Sequence, residues 1–166
     1  SNSEPVEILA NESDPASAIV FKTVSDPFIG KLSYFKVISG KISADTQLIN
    51  MRVGKSERIN KVLSVLGKKQ EEIQCISAGD IGAVAKLQDV KTGDTLCSPE
   101  RKVTLNPVEY PIPCLSMAIY PKVKGEEDKI AQGVLKLAEE DPTIIFETNT
   151  ETHQMIVSGL GEQHLD

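Results

Sequence analysis

The sequence predicts two domains, an all-β closed barrel of mostly antiparallel strands followed by an incomplete α+β unit. Three observations carry that reading. Short runs rich in Val, Ile, Phe, Tyr and Thr are cut at close spacing by Gly, Asp and Pro turns as far as Ser98. Four prolines, Pro99, Pro107, Pro111 and Pro113, then interrupt the chain. Beyond them the pattern becomes strand, helix, strand, strand, helix. β-branched and aromatic residues fit a pleated half-buried surface, and Gly, Asp and Pro pre-set turn dihedrals.

Residues 1–16 are acidic and without periodicity, so they read as a linker or disordered arm. Ser1-Asn2 has the look of a remnant of an expression tag. From Ile19 to Met51 the spacing predicts a meander of strands over 18–24, 31–38 and 46–51, with turns at Ser25-Asp26-Pro27 and Ser39-Gly40-Lys41. The loop Asp26–Lys31 sets Phe28 and Ile29 at a tip beside Lys31, either folded back on the core or kept for a partner. In the next segment Ile59, Val62, Leu63 and Leu66 have the i, i+3, i+4, i+7 spacing of an amphipathic helix. Ala78-Gly79-Asp80 and 91–94 are turns beside strands in DIGAVAKL and DTLC. The barrel is placed at 17–104 and a semi-rigid Pro-rich connection at 105–113.

Over 114–166, Leu115, Met117 and Ile119 alternate as a half-buried strand. The segment 126–140 places Ile130, Ala131, Val134, Leu135 and Ala138 on one helical face. Glu126, Glu127 and Asp128 suit the positive end of its dipole. Asp141-Pro142 ends it, because a residue before proline is pushed out of the helical region. TIIFET and QMIVSG read as a strand pair, and Ser158–Glu162 as a second helix beginning. That order is the first part of a split βαβ, ferredoxin-like unit.

Composition narrows the function. Aromatics are 4% with no Trp, too few for a single-strand binder built on stacking platforms. No apolar run approaches a bilayer span, and three scattered cysteines, Cys75, Cys97 and Cys114, suit a reducing cytoplasm. The net charge of −6 is segregated. Arg52, Lys55, Arg58, Lys61, Lys68 and Lys69 face only Glu57 within 52–69, whereas 126–166 holds ten acidic residues against two lysines. A polyanion would therefore meet the first half.

Motifs for chemistry are absent. Gly54-Lys55-Ser56 imitates the end of a phosphate-binding loop, but Ile49 stands where its first Gly belongs. Asn60-Lys61-Val62-Leu63 lacks the Asp that would read guanine. His153, Glu162, His164 and Asp166 lack metal-ligand spacing. Gly159 and Gly161 read as a tight strand-to-helix turn rather than a phosphate site. No catalytic residue, metal or cofactor is expected in this chain.

FKTVSDPFIGKLSYFKVISGKI, with AGDIGAVAKL and TGDTL after it, resembles the barrel second domain of elongation factor G and related translational GTPases. LAEEDPT, a hairpin and SGLGEQHLD resemble its third domain. The resemblance makes 52–74 barrel strand and loop rather than helix. It implies a piece lacking most of the second helix and a fourth strand, as if the natural chain were cut there, with apolar surface uncovered. It further implies a parent GTPase that drives tRNA and mRNA movement, its GTP and Mg held in a domain outside this piece. Partners would be the ribosome, small-subunit rRNA, a neighbouring ribosomal protein and that GTPase domain. The rRNA contacts implied are Phe28, Gly30, Lys31, Lys55, Arg58 and Lys61. The GTPase-facing residues would be Glu126, Lys129, Gln132, Ser158, Gly159, Gly161 and Glu162. Ile144-Ile145, Gln163 and Asp166 depart from the common family pattern, which leaves a ribosomal protection protein or a GTPase-class release factor as the other subgroups. An unrelated RNA-binding barrel, or an adaptor whose acidic half meets a basic protein, are the rivals from other classes.

Overall fold

The computed structural model describes residues 6–26, 29–67 and 69–166. Ser1-Asn2, Pro27 of the first turn, Phe28 and Lys68, all named above, lie outside the described residues. The chain forms two compact units that divide after Pro107.

The first unit is built from ten strands: β1 (Ser17–Asp26), β2 (Gly30–Ser39), β3 (Lys41–Ser43), β4 (Gln47–Asn50), β5 (Lys55–Arg58), β6 (Val62–Leu66), β7 (Lys69–Ile73), β8 (Cys75–Ser77), β9 (Ile81–Ala85) and β10 (Thr95–Cys97). Eight of them pair antiparallel in the order β5-β4-β10-β1-β2-β9-β6-β7, while β3 and β8 pair with each other. Leu48 of β4 and Val62 of β6 lie near opposite ends of that order, yet both belong to one buried cluster with Val20, Phe35, Val37, Ile59 and Leu96. A sheet whose two ends bury into one core is wrapped as a barrel-type fold.

The helical spacing at Ile59, Val62, Leu63 and Leu66 is met by strand instead. Val62–Leu66 pairs with Lys69–Ile73, which leaves Ile59 and Val62 fully buried and Leu66 82% exposed at the hairpin tip. A helix would have put Leu66 on the same face as the other three; cross-strand pairing overrides that pattern.

One irregularity decides where the site falls. Between Val20 and Lys22 the pairing of β1 with β2 shifts by a residue, so Phe21 is extra. Inward positions change phase accordingly, from Ala18 and Val20 to Thr23. At that bulge the Val20 amide donates to the Asp94 carbonyl (2.9 Å) and the Gly93 amide to the Val20 carbonyl (2.7 Å). A bulge bends its strand and frees main-chain groups, here to seat the 91–94 turn.

Residues 11–16, expected as part of a loose arm, are docked. The Gly40 amide donates to the Asn11 carbonyl (2.8 Å), Ser39 Oγ to the Pro15 carbonyl (2.9 Å), and Lys41 pairs with Glu12 (2.6 Å). The Arg101 guanidinium also donates to the Pro15 carbonyl (2.9 Å). These main-chain bonds offset the ordering entropy that the acidic composition alone did not promise to repay.

The second unit contains β11 (Leu115–Ile119), α1 (Glu127–Glu140), β12 (Ile145–Thr148), β13 (Met155–Gly159) and α2 (Glu162–Leu165). Its antiparallel sheet runs β11-β13-β12. The α1 helix ends where expected, with Asp141 extended at φ −121° and ψ 106°. Met117, Ile119 and Val157 on one sheet face, Val134 and Leu137 of α1, and Leu165 of α2 line an apolar cleft of about 170 Å³. No residue of α1 is fully buried. No described helix is long and apolar enough to cross a membrane.

Candidate nucleic-acid interface

The basic segment is less naked than its charge count implies. Lys55 Nζ lies 2.6 Å from Asp89, Arg58 2.7 Å from Asp45, and Lys61 2.6 Å from Glu72. All three cations remain about two-thirds exposed, at 65%, 66% and 67%. Exposed pairs of this kind contribute roughly 0–1 kcal/mol, so a phosphate can exchange for the carboxylate at little cost.

The structure separates the candidates. Side chains alternate along β5, so Lys55 shares its side with buried Glu57, while Arg58 shares the other with Ser56. Register agrees: Lys55 stands opposite Asn50, and Arg58 opposite Gln47. Lys55 therefore turns toward the 86–94 segment and Arg58 toward Asp45. Lys61 pairs onto β7. Lys55, Arg58 and Lys61 therefore do not form one patch.

What does converge is a cluster around Asp89. Its carboxyl is held below the ordinary aspartate value first by the Lys55 hydrogen bond and charge, with smaller help from Arg52 and Lys31 against slight desolvation. Lys55 is correspondingly raised. Lys55 thus holds the carboxylate, while Arg52, which the charge count included but the resemblance did not single out, donates to the Asp89 carbonyl (2.7 Å), and Lys31, at the start of β2, adds its charge from farther away. The Lys31 main chain is fixed by the Lys86 amide, which donates to its carbonyl (2.8 Å). Beside it, Gly30 has φ +85°, a left-handed turn conformation that suits glycine, and the Ile29 amide donates to Asp26 (2.9 Å).

Underneath lies a buried polar network. Asp94, only 4% exposed, accepts from Arg52 Nε (2.7 Å), Asn50 Nδ2 (2.7 Å) and the Lys91 amide (2.9 Å). Burial opposes ionisation of Asp94, but these three donors outweigh it and hold its carboxyl below the usual range. Asn50, fully buried, also donates to the Asp89 carbonyl at 3.1 Å, and the Asp89 amide donates to Glu57 Oε1 at 3.0 Å. Buried polar groups persist only when satisfied, and here each satisfies another. No sequence motif announced this; Asn50, Asp89 and Asp94 meet through tertiary contacts alone.

The residues implied for a second interface are also divided. Glu126 Oε1 pairs with Lys129 Nζ (2.7 Å), and Lys129 and Gln132 are exposed on α1. Ser158 is opposite Ser116 and Ile145 in the sheet and its hydroxyl meets that of Ser116 at 2.7 Å. Val157 lines the cleft against α1, so alternation turns Ser158 to the other sheet face. Gly159 is buried, and a Cβ there would come within 2.7 Å of the Leu165 side chain, so its smallness serves packing. Gly161 precedes α2 and Glu162 is exposed in it.

His164, set aside as a metal ligand from sequence, has a structural place instead. The Leu160 amide donates to its Nδ1 (3.0 Å), and its Nε2 meets Asp141 Oδ2 (3.1 Å). Among the described residues no group of three His, Cys, Asp or Glu side chains could hold a metal.

Comparison with known proteins agrees with the fold. Residues 15–99 match the family described as elongation factor G domain 2, and residues 110–166 match elongation factor G, domain III. A crystallised protein of Thermus thermophilus is similar over 92% of this chain, with 29% identity and a TM-score of 0.78. The match spans 23% of that protein's length.

Proposed function

The chain belongs to the elongation factor G family, carrying counterparts of its second and third domains, and from that premise we propose that it is the ribosome-docking and coupling part of a translational GTPase. The barrel holds small-subunit rRNA through its phosphates, with Lys31, Arg52 and Lys55 as the principal contacts. Phe28 and Gly30, which the resemblance implies as contacts, precede Lys31 in sequence and add to the same docking. Arg58 and Lys61 contribute separate, weaker contacts. Nucleotide and magnesium belong to a GTPase domain outside these residues, and movement of tRNA and mRNA is the work of the whole factor.

The observation that carries this reading is the exposed Lys55 on the Asp89 carboxylate (2.6 Å), with Arg52 beside it on the Asp89 carbonyl (2.7 Å), in an otherwise acidic chain. Phosphate contacts of this sort position a protein without reading bases, and folded RNA is recognised largely by shape. A rigid platform under the cations supports the reading, since it lowers the ordering cost of docking.

The second unit couples docking to nucleotide state. Glu126 at the start of α1 with Lys129 and Gln132 in it, and Ser158, Gly161 and Glu162, present two faces, one toward the GTPase domain and one toward a ribosomal protein. A shape change requires contacts that differ between states, which two opposed faces can provide.

Co-sedimentation of the chain with purified small ribosomal subunits tests the docking. Reversal of Lys31 and Lys55 to Glu should abolish co-sedimentation, while Arg58→Glu with Lys61→Glu should weaken it less. Retention of full binding by the Lys31→Glu/Lys55→Glu variant would refute the proposed surface.

A further inference from the structure

We propose that Asp89 is a built-in stand-in for an RNA phosphate, occupying Lys55 until a backbone phosphate displaces it. The inference rests on the docking reading above and adds to it a gate on the same site. Its basis is how residue 89 is held. The main chain is fixed on both sides, by Glu57 Oε1 at the amide (3.0 Å) and by Asn50 Nδ2 (3.1 Å) and Arg52 Nη2 (2.7 Å) at the carbonyl. Two of these three side chains are buried, Asn50 fully and Glu57 at 8% exposure. The carboxylate itself takes no part in that platform. It stands 41% exposed and reaches out to Lys55 Nζ at 2.6 Å.

A buried scaffold that grips only the backbone of an exposed acid gives its side chain a fixed position and no structural duty. That position puts an anionic oxygen where a docking phosphate would sit against Lys55. A carboxylate and a phosphate oxygen make equivalent charge-assisted bonds to an ammonium. The pair keeps Lys55 ordered and extended while excluding weak, loose polyanions. A phosphate placed by the rest of a folded RNA carries neighbouring charges and several simultaneous contacts, so it can exchange for the carboxylate.

A double-mutant cycle reads the coupling. Binding of a fluorescent RNA hairpin is measured at about 0.1 M salt, where the screening length is roughly 10 Å. The four proteins are the wild-type chain, Asp89→Asn, Lys55→Gln and the double variant. Asp89→Asn keeps the amide and carbonyl that the platform holds, so the fold is retained. It should tighten binding about two- to fivefold, the range an exposed pair can withhold. In the Lys55→Gln background the same change should give no more than a small residual gain. Equal tightening in both backgrounds would reduce the effect to bulk charge and overturn the gate. Absence of tightening, with Lys55→Gln still weakening binding, would overturn the gate and leave docking standing. Unchanged binding by Lys55→Gln would overturn both.

Discussion

Arg52 and Asp94 are joined by a two-bond fork, Nε to Oδ1 at 2.7 Å and Nη2 to Oδ2 at 3.0 Å. The acid is 4% exposed and the arginine side chain 43%. One partner is thus buried and the other reaches the surface, linking the barrel interior to the cluster above it. Removing the charge from Asp94 would leave Asn50, the Lys91 amide and Arg52 with a poorer acceptor. Asp94→Asn should cost about 2–3 kcal/mol, measured by urea unfolding, because breaking a buried network strands its remaining members. A loss under about 0.5 kcal/mol, typical of an unconstrained surface change, would contradict the account of this network.

The same residue makes an acid-sensitive contribution. Its folded value is depressed, so the stabilisation is complete above the unfolded aspartate value, about 3.9, and is lost as pH falls from there through the folded value. Asp141 behaves alike in the second unit: desolvation works against its charge, and Thr143 and His164 outweigh it. Urea midpoints should be steady from neutral pH to about 5 for these two groups and fall below about 4. In Asp94→Asn the fall should be shallower; an unchanged slope would assign the acid sensitivity elsewhere.

Gly40 and Gly54 separate two costs. Both have left-handed backbone, φ +72° and +69°. A Cβ at Gly54 meets nothing within 4 Å, whereas at Gly40 it would lie 2.5 Å from the Asp14 carbonyl oxygen and 2.7 Å from Ala16 main-chain atoms. Gly54→Ala should therefore cost about 1 kcal/mol from backbone conformation alone. Gly40→Ala should cost clearly more and should release residues 11–16, seen as faster exchange of the residue-40 amide that bonds Asn11. Equal costs would mean that the arm yields freely.

Much of the fold was legible because it is written in local chemistry. The turns at Gly40, Gly79 and Gly93 carry positive φ, as glycine positions between strand runs suggested. Asp141-Pro142 set the end of α1, and Ala18 and Val20 alternate as strand residues do. The register shift at Phe21 was not legible, since nothing in FKTVS distinguishes a bulge from regular strand. Charge counting also misled: Lys55, Arg58 and Lys61 find their acids 34, 13 and 11 residues away in sequence. Arg52 was hidden for the same reason, its role depending on Asp89 and Asp94.

His164 ties the start of α2 to the end of α1. Its ring accepts from the Leu160 amide, while Asp141 Oδ1 accepts from both the amide (2.8 Å) and hydroxyl (2.6 Å) of Thr143. His164→Ala should remove about 1–2 kcal/mol of local stability and speed hydrogen exchange at the Leu160 amide. His164→Asn, which keeps an acceptor at the same distance along the side chain, should restore part of that protection. Unaltered exchange in His164→Ala would mean that the Leu160 bond does not close this turn.

Chemical footprinting of small-subunit rRNA tests the central claim most directly. Bound at moderate salt, the chain should protect a confined set of backbone positions, and Lys31→Glu/Lys55→Glu should lose that protection while keeping its fold. Protection that survives both reversals, or none at any concentration that saturates subunit binding, would contradict an interface built around Asp89.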